Sequence, residues 1–307
     1  MTVKEWCKFI LLSLVWGSSF LWIKIAVEEV SPLVTVGLRL VFGLASLAVF
    51  VFLLTRSRGL IKISRKYLVV FAVLGMTNIA LPFILIAWSE QYITSALASI
   101  INGTVPLFTM LAAPLFITDE RITPIRLVGL AGGFIGVLIL LSPELKVGGN
   151  SSILAEIAMF GGAILYAGSS IFARRTTEGL SPGDQALLQM SFGVFYVCAI
   201  VFFTGQPVVL PRLPITWGAV AWLGILGSAV GTVLFFDLIH SIGPTRTVIV
   251  SYVFPLVGVL LGVVVLHETI VWQEIVGGLL ILSGVVFINS IKTVRLQSQP
   301  GEVNISD

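Results

Sequence analysis

A small set of polar and aromatic side chains interrupts the long apolar runs of this 307-residue chain. Counted inward from the ends of those runs, the ones nearest the middle are Trp16, Ser18, Ser19, Asn78, Asn102, Tyr166, Ser228, Ser251 and Tyr252. Amide, hydroxyl and indole groups are costly to bury without a hydrogen-bond partner, so at this depth they are candidates to bind a polar solute. Serine in an apolar helix also bonds its own carbonyls or holds helices together, so a structural role stays open for each serine. All of these residues except Ser18 and Ser228 are our candidate substrate-binding residues.

Arg39 is the one charged residue predicted well inside an apolar run. Its long stem could carry the guanidinium to the headgroups, or the charge could bind an anion or latch an outer gate. No Asp or Glu lies near the middle of any run, so the buried carboxylate expected of a proton relay is missing. Coupling through Glu90 or Asp237, which lie nearer the ends of runs, stays open.

The chain has few groups for covalent chemistry. His240 and His267 are predicted near opposite surfaces of the apolar bundle, and Cys7 and Cys198 are the only cysteines. A buried nucleophile with its base, a metal-ligand cluster and a phosphate-binding glycine loop therefore have no candidates in the sequence. We predict that the protein is not an enzyme and that it uses no cofactor and no metal ion.

Composition places the chain in a membrane, since 57% of its residues are apolar, 11% are charged and its mean hydropathy is +1.07. A hydrocarbon core about 30 Å thick needs about 20 apolar residues per helix, and ten runs meet that requirement. They are 8–27, 34–54, 67–87, 93–117, 124–142, 153–173, 185–204, 216–239, 244–266 and 271–290. The first run follows Lys4 and Lys8 but is not followed by a small-residue cleavage site, so it reads as a retained helix rather than a signal peptide.

The basic residues orient the ten predicted helices. With the N-terminus in the cytoplasm, 14 of the 18 Lys and Arg residues lie near cytoplasmic helix ends, while Lys24, Lys146 and Arg212 lie on the other side. Because cytoplasmic loops of membrane proteins carry the excess of Lys and Arg, both termini are predicted inside the cell. The net charge of +3 is spread over short gaps rather than one patch, which argues against nucleic acid as a partner.

The two halves of the sequence repeat each other. The matched pairs are Trp16/Tyr166, Ser19/Ser169, Lys24/Arg174 and Glu28/Glu178 at a spacing of 150 residues, Gly75/Gly224 and Pro106/Pro255 at 149, and Glu120/Glu268 at 148. The repeat equivalent of Arg39 is the uncharged Gln189, so a latch at Arg39 would be one-sided. The predicted units are a five-helix repeat over 8–142, a second over 153–290 and a cytoplasmic tail over 291–307. Since five is odd, the second repeat must enter the membrane from the opposite side, an arrangement typical of alternating-access carriers with a site between the halves.

Pro106 and Pro255 occupy equivalent positions in the fourth and ninth predicted helices. Each proline removes one backbone hydrogen bond from its helix, and the freed carbonyl needs a partner in a bilayer. The break either serves packing or opens the backbone onto a central cavity. Both prolines and Arg39 are our candidate helix-break or gating positions.

Four motifs carry a likeness to a known family. They are "WGSSF" from Trp16, Arg39 within "GLRLVFG", the block "ALASIINGTVPLFTMLAAPLFITDERIT" and its copy "VIVSYVFPLVGVLLGVVVLHETIVWQEIVGGLLI". They resemble the drug/metabolite transporter superfamily, specifically its EamA-type ten-helix transporters, over nearly the whole chain. The resemblance implies a ten-helix fold that exports or exchanges amino acids, metabolites or drugs. The chain departs from the family where Asp119 and His267 replace the usual glycine before Glu120 and Glu268, which puts the loop geometry there in question.

The sequence as a whole predicts an all-α transporter in the cell inner membrane. By the resemblance it would move amino acids or related metabolites, by export or exchange, and the repeats predict alternating access at a central cavity between them. The alternatives are a proton-coupled multidrug exporter and, less favoured, a membrane-embedded enzyme. The expected partners are a small-molecule solute and membrane lipid, with the protein acting as a monomer or a homodimer.

Overall fold

The computed structural model describes residues 2–54, 65–116, 124–147, 150–177, 180–242 and 250–297. Its described secondary structure is entirely helical. In chain order the described helices are α1 (Val3–Gly17), α2 (Ser19–Val27), α3 (Pro32–Leu54), α4 (Arg65–Leu74), α5 (Leu81–Ser89), α6 (Ser95–Asn102), α7 (Val105–Phe116), α8 (Pro124–Val147), α9 (Asn150–Thr176), α10 (Pro182–Thr204), α11 (Pro214–Ala221), α12 (Gly231–Ile242), α13 (Val250–Leu266) and α14 (Trp272–Gln297). Two π-helical segments, Gly75–Ala80 and Trp222–Val230, join α4 to α5 and α11 to α12.

Several described helices are long and apolar enough to cross a membrane. The seven stretches that meet both criteria are Val3–Val27, Pro32–Phe50, Arg65–Ser89, Ser95–Ala112, Ser152–Ala173, Gly183–Thr204 and Pro214–Phe235. Leu127–Ser142 and Val253–Leu266 are shorter apolar helices. The all-helical membrane fold is thus confirmed, while the count of ten spans and the orientation of the termini stay predictions.

The first and last helices extend beyond the predicted runs. Helix α1 begins at Val3 because Thr2 and Glu5 form a reciprocal capping box, which sets the start of a helix independently of hydropathy. Helix α14 continues to Gln297, so the first part of the predicted tail is helical. The rest of the tail, 298–307, lies outside the described residues.

The two matched prolines have different surroundings. Helix α6 ends at Asn102, Gly103 and Thr104 form a turn, and Pro106 lies in the first turn of α7, where a missing N–H costs nothing. Pro255 instead lies inside the continuous helix α13. The fourth predicted run is therefore broken, whereas the ninth is continuous over Val250–Leu266, and only the fourth has a glycine three residues before its proline.

The π-helical segments were not anticipated from the sequence. They lie in the third and eighth predicted runs and begin within two residues of the matched pair Gly75/Gly224. Helix α3 packs on the second π segment and helix α10 packs on the first, so the two contacts are related by the repeat. π-Helical turns inside α-helices are frequent at functional sites, which directs attention to these two contacts.

Helices α8 and α14 form an extensive pair at one side of the bundle. Their backbones approach through glycines, since a Cβ on Gly136 would lie 2.7 Å from the carbonyl oxygen of Gly277. Each of these glycines faces the backbone of the other, because a Cβ on Gly277 would lie 2.7 Å from the carbonyl oxygen of Gly136. The fifth and tenth predicted helices therefore use their small residues for packing within the chain.

Candidate functional site

Helices α3 and α10 each pack on the π segment of the other repeat, and at both contacts the two backbones touch. A Cβ on Gly224 would lie 2.6 Å from the carbonyl oxygen of Arg39, and a Cβ on Gly75 would lie 3.1 Å from the carbonyl oxygen of Gln189. Arg39 and Gln189 are themselves 150 residues apart, so the same contact is built twice. Only glycine allows so close an approach, which explains why the pair Gly75/Gly224 belongs to the repeat pattern.

A polar contact between the repeats accompanies each backbone contact. The Nε of Arg39 donates to the Ser228 hydroxyl at 3.0 Å, and the Nδ2 of Asn78 donates to the Oε1 of Gln189 at 2.9 Å. Ser228 and Asn78 lie on the two π segments and are also 150 residues apart. Ser228 donates in turn to the carbonyl of Leu223 at 3.0 Å, inside its own π segment. The two contacts differ in charge, since one contains a guanidinium and the other only amides.

Arg39 is 8% exposed, which overturns the reading in which its stem carries the charge to the headgroups. The guanidinium carbon lies 3.8 Å from the centroid of the Phe83 ring, a cation–π geometry. Among the described residues, no carboxylate lies within 4.0 Å of the guanidinium nitrogens. A buried cation without an ion-pair partner is costly, which makes Arg39 a candidate functional residue.

Trp16 and Ser19 lie beside the second π segment. The indole Nε1 of Trp16 donates to the carbonyl of Gly227 at 2.8 Å, and its ring contacts those of Phe235 and Phe254. The Ser19 hydroxyl donates to the carbonyl of Val15 at 3.2 Å, the back-bonding that the structural reading of a serine expects. Both residues therefore lie beside Gly227, close to Arg39. Of the two, only Trp16 donates a hydrogen bond to a described residue of the other repeat.

The remaining candidate residues are less closely grouped. Asn102 ends α6 at the break in the fourth predicted run, and its buried Oδ1 has no partner in the described part of the chain. Tyr166 is half-buried against the core and lies within electrostatic range of Arg39. The side chains of Ser251 and Tyr252 lie outside what the structure describes. Sequence reasoning named Gln189 as the repeat equivalent of Arg39, but it did not anticipate Phe83 or Gly227 as neighbours.

A buried carboxyl group lies in the turn after α5. Glu90 is fully buried, and both its carboxylate oxygens lack a partner among the described residues. Lys24 donates to the carbonyls of Glu90 and Ile93, at 2.6 and 3.0 Å, rather than to the carboxylate. Burial raises the pKa of Glu90 well above its usual range, although the charge of Lys24 opposes the shift. The sequence placed Glu90 in a short loop, where a solvated carboxylate is the ordinary expectation.

Glu268 connects the second repeat to the first at the same turn. Its carboxylate accepts from the backbone N–H of Ser95 at 2.7 Å and of Ala96 at 3.0 Å, which caps the start of α6. His267, just before it, has φ 54, in the left-handed region that favours glycine. His267 therefore adopts the left-handed backbone conformation that the family's usual glycine would favour at this position.

Metal binding has no support in the described residues, which contain no group of three or more His, Cys, Asp or Glu side chains placed to hold an ion. The site is instead a set of hydrogen-bonding and charged groups between two helical halves. Such groups can bind and release a solute without covalent chemistry.

A helical membrane bundle whose related halves meet at a buried charge has the architecture of a secondary transporter. The sequence model of the EamA-like transporter family matches this chain twice, over residues 4–142 and 153–290. The chain therefore belongs to the EamA-like transporter family, and it is a multi-pass membrane transporter.

Individual proteins give the same result. An uncharacterized inner membrane transporter of Escherichia coli (strain K12), YedA, is 30% identical over 262 residues, which cover 84% of this chain and 82% of the relative. An uncharacterized transporter of Bacillus subtilis (strain 168), YyaM, is 27% identical over 282 residues, or 88% of each chain. One solved structure, described only as the crystal structure of a protein, has a TM-score of 0.65 at 18% identity and covers 95% of this chain and 99% of its own. That last likeness concerns the fold alone.

Proposed function

We propose that the protein moves small organic solutes, amino acids or related metabolites, across the inner membrane by alternating access at a central site between the repeats. The observation that carries the proposal is the contact of buried Arg39 with Ser228 together with its repeat-related counterpart, Asn78 with Gln189. Polar groups at the junction of two related halves lie where an alternating-access carrier binds its substrate. The similarity to YedA, an uncharacterized inner membrane transporter, supports the location.

The inverted topology of the repeats can be tested with two exposed positions. Glu28 and Arg175 are exposed in the structure, and the ten-helix topology places Glu28 outside and Arg175 inside the cell. In a Cys7→Ser, Cys198→Ser background, we expect Glu28→Cys to react with a membrane-impermeant maleimide in intact cells. Arg175→Cys is expected to react only after the membrane is permeabilised. Equal labelling of both from the outside would contradict the inverted repeat.

Transport itself is tested with purified protein in liposomes, by uptake and counterflow of a panel of amino acids and related metabolites. We expect saturable flux for at least one of them. Asn78→Ala removes the amide that joins Gln189, and we expect it to lower that flux about tenfold, which corresponds to roughly 1.4 kcal/mol. Ser191→Ala is the matched control, since the Ser191 hydroxyl is exposed and donates only to the carbonyl of Leu187. An unchanged flux in Asn78→Ala would remove the contact from the substrate path.

Proton-coupled multidrug export is the second candidate function, and the fully buried, unpartnered carboxylate of Glu90 favours it. A buried carboxylate that gains and loses a proton is a common device of proton-coupled carriers. The same liposomes, with and without an imposed proton gradient, separate the two. Flux that responds to the gradient in the native protein but not in Glu90→Gln would assign the coupling to this residue.

A further inference from the structure

We propose that the space beside Gly227 binds the carboxylate of the transported solute, with the guanidinium of Arg39 and the hydroxyl of Ser19 as its ligands. The inference rests on the proposed function and adds a substrate class to it, since the solute would carry a single carboxylate at this end. Three polar atoms surround the position where a side chain is missing. A Cβ on Gly227 would lie 3.4 Å from the Ser19 hydroxyl, 3.8 Å from the carbonyl oxygen of Trp222 and 3.9 Å from an Nη of Arg39.

The other repeat fills the corresponding space with protein. Thr77 and Gly227 are structural equivalents because each lies beside one of the matched serines, Ser169 or Ser19. They are 150 residues apart, one more than Gly75 and Gly224 at the start of the π segments. The Ser169 hydroxyl donates to the Thr77 hydroxyl at 2.8 Å, so this pair is complete without a ligand. At Gly227 the same pair lacks one member, and the Ser19 hydroxyl is left with only the carbonyl of Val15 among described partners. The first π segment therefore has the Thr77 side chain where the second has Gly227, and only the site beside Gly227 contains a charged residue, Arg39.

Arg39 has no carboxylate at ion-pair distance among the described residues, and the protein carboxyl group that acts on it is the more distant Glu90. Ser228 accepts from its Nε, and Phe83 lies against the plane of the guanidinium. These contacts fix the orientation of the group and leave both Nη atoms without a hydrogen bond to a described residue. Two parallel N–H groups on a fixed guanidinium match the two oxygens of a carboxylate, and the low dielectric around a buried pair strengthens these charge-assisted hydrogen bonds.

The second repeat has no charged residue at the position equivalent to Arg39, so only one of the two repeats can bind a carboxylate there. Gln189 replaces Arg39 in the second repeat and is already bonded to Asn78 at 2.9 Å. No second cation is therefore placed to receive another carboxylate at that position. A solute with one carboxylate, such as an amino acid, fits this arrangement better than a dicarboxylate or an amine.

The decisive variant restores the side chain that the other repeat has. Gly227→Thr would place a hydroxyl beside Ser19 and Arg39, as Thr77 does beside Ser169, and would occupy the space without removing any ligand. The control is Gly218→Thr, since a Cβ at Gly218 meets nothing within 4 Å and the cost of a β-branched residue in a helix is matched. Arg39→Gln removes the charge and keeps a polar side chain.

The probes are L-leucine and L-phenylalanine, each beside the amine that lacks its carboxylate, isoamylamine and phenethylamine. Binding is followed by the fluorescence of the protein's tryptophans, which include Trp16 at the site, and transport by counterflow in liposomes. We expect at least one amino acid to bind more than tenfold tighter than its amine. Gly227→Thr and Arg39→Gln should abolish that preference, while Gly218→Thr should retain it.

Each other outcome has a definite meaning. Unchanged preference in Gly227→Thr, in protein that elutes as a folded species, would overturn the site. Equal binding of amino acids and amines by the native protein, or transport of the amines alone, would overturn the carboxylate assignment and leave the transporter function standing. No binding and no flux of any probe or panel solute would count against the proposed function as well.

Discussion

Replacing Gly136 with alanine is expected to destabilise the protein, whereas the same replacement at Gly132, one helical turn away, is not. A Cβ on Gly136 would lie 2.7 Å from the carbonyl oxygen of Gly277, and backbone cannot move aside as a flexible side chain can. A Cβ on Gly132 meets nothing within 4 Å. Both changes gain the same helix propensity, up to about 1 kcal/mol, so their difference isolates the close approach. We expect that difference to be about 1–3 kcal/mol, the usual cost of overpacking.

The measurement is the thermal unfolding midpoint in detergent, followed by fluorescence-detected size-exclusion chromatography. Gly277→Ala examines the same approach from α14 and should behave like Gly136→Ala, since its Cβ would lie 2.7 Å from the carbonyl oxygen of Gly136. If Gly132→Ala lowers the midpoint as much as Gly136→Ala does, the loss of stability does not come from the close packing of α8 on α14. The glycines would then be available for a contact between two copies of the chain.

The repeat pattern predicted more of the structure than any single motif did. Pairs at a spacing of 150 residues named Trp16 with Tyr166 and Arg39 with Gln189 as equivalents, and the structure places Arg39 and Gln189 in equivalent contacts. The π-helical turns were missed because hydropathy records which face of a helix is apolar and carries no information on the hydrogen-bond register of the backbone. The pair Gly75/Gly224 was the available signal, since a matched glycine in an apolar helix indicates close backbone approach.

The prolines show where local chemistry is insufficient. Pro106 and Pro255 each remove one helix hydrogen bond, yet in the described residues only the run with Gly103, three residues before Pro106, is broken. Glycine adds a second weakness to the helix, and the two together end α6. Neighbouring helices can hold a helix with one missing bond, so the continuity of α13 depends on packing that no local pattern reveals.

The burial of Glu90 could not be predicted from the sequence either. Its turn is covered because Ser89 donates to the carbonyl of Ala155 at 2.8 Å and Lys24 donates to the carbonyl of Glu90 at 2.6 Å, both from helices distant in the chain. A charge in a short loop reads as solvated until such contacts are known. The sequence places no carboxylate near the middle of a predicted run, but the inference against proton coupling does not extend to a carboxylate buried at the end of a span.

Replacing Glu90 with glutamine is expected to make the protein's thermal stability less dependent on pH. The folded protein holds the pKa of Glu90 well above the usual 4.5, mainly by burial and against the opposing charges of Lys24 and Arg39, while Glu268 adds to the shift. The folded state therefore binds more protons than the unfolded state once the pH rises above about 4.5. Stability should fall as the pH increases from that value towards the raised pKa. In this range Glu90 ionises freely in the unfolded state but stays protonated in the folded state, so the unfolded state is favoured.

Glutamine keeps the shape of the side chain and removes the ionisation, so Glu90→Gln should flatten this decline and unfold at a higher temperature than the native protein at pH 8. Glu28→Gln is the control, since Glu28 is exposed on the neighbouring turn and its removal should leave the pH profile unchanged. A steeper decline in Glu90→Gln would mean that the carboxylate is ionised and stabilised by Lys24 in the folded protein. A flattened profile together with flux that no longer responds to a proton gradient would instead make the burial of Glu90 the source of coupling, because the same unpaired oxygens that destabilise the folded state at high pH are the ones that take up the proton.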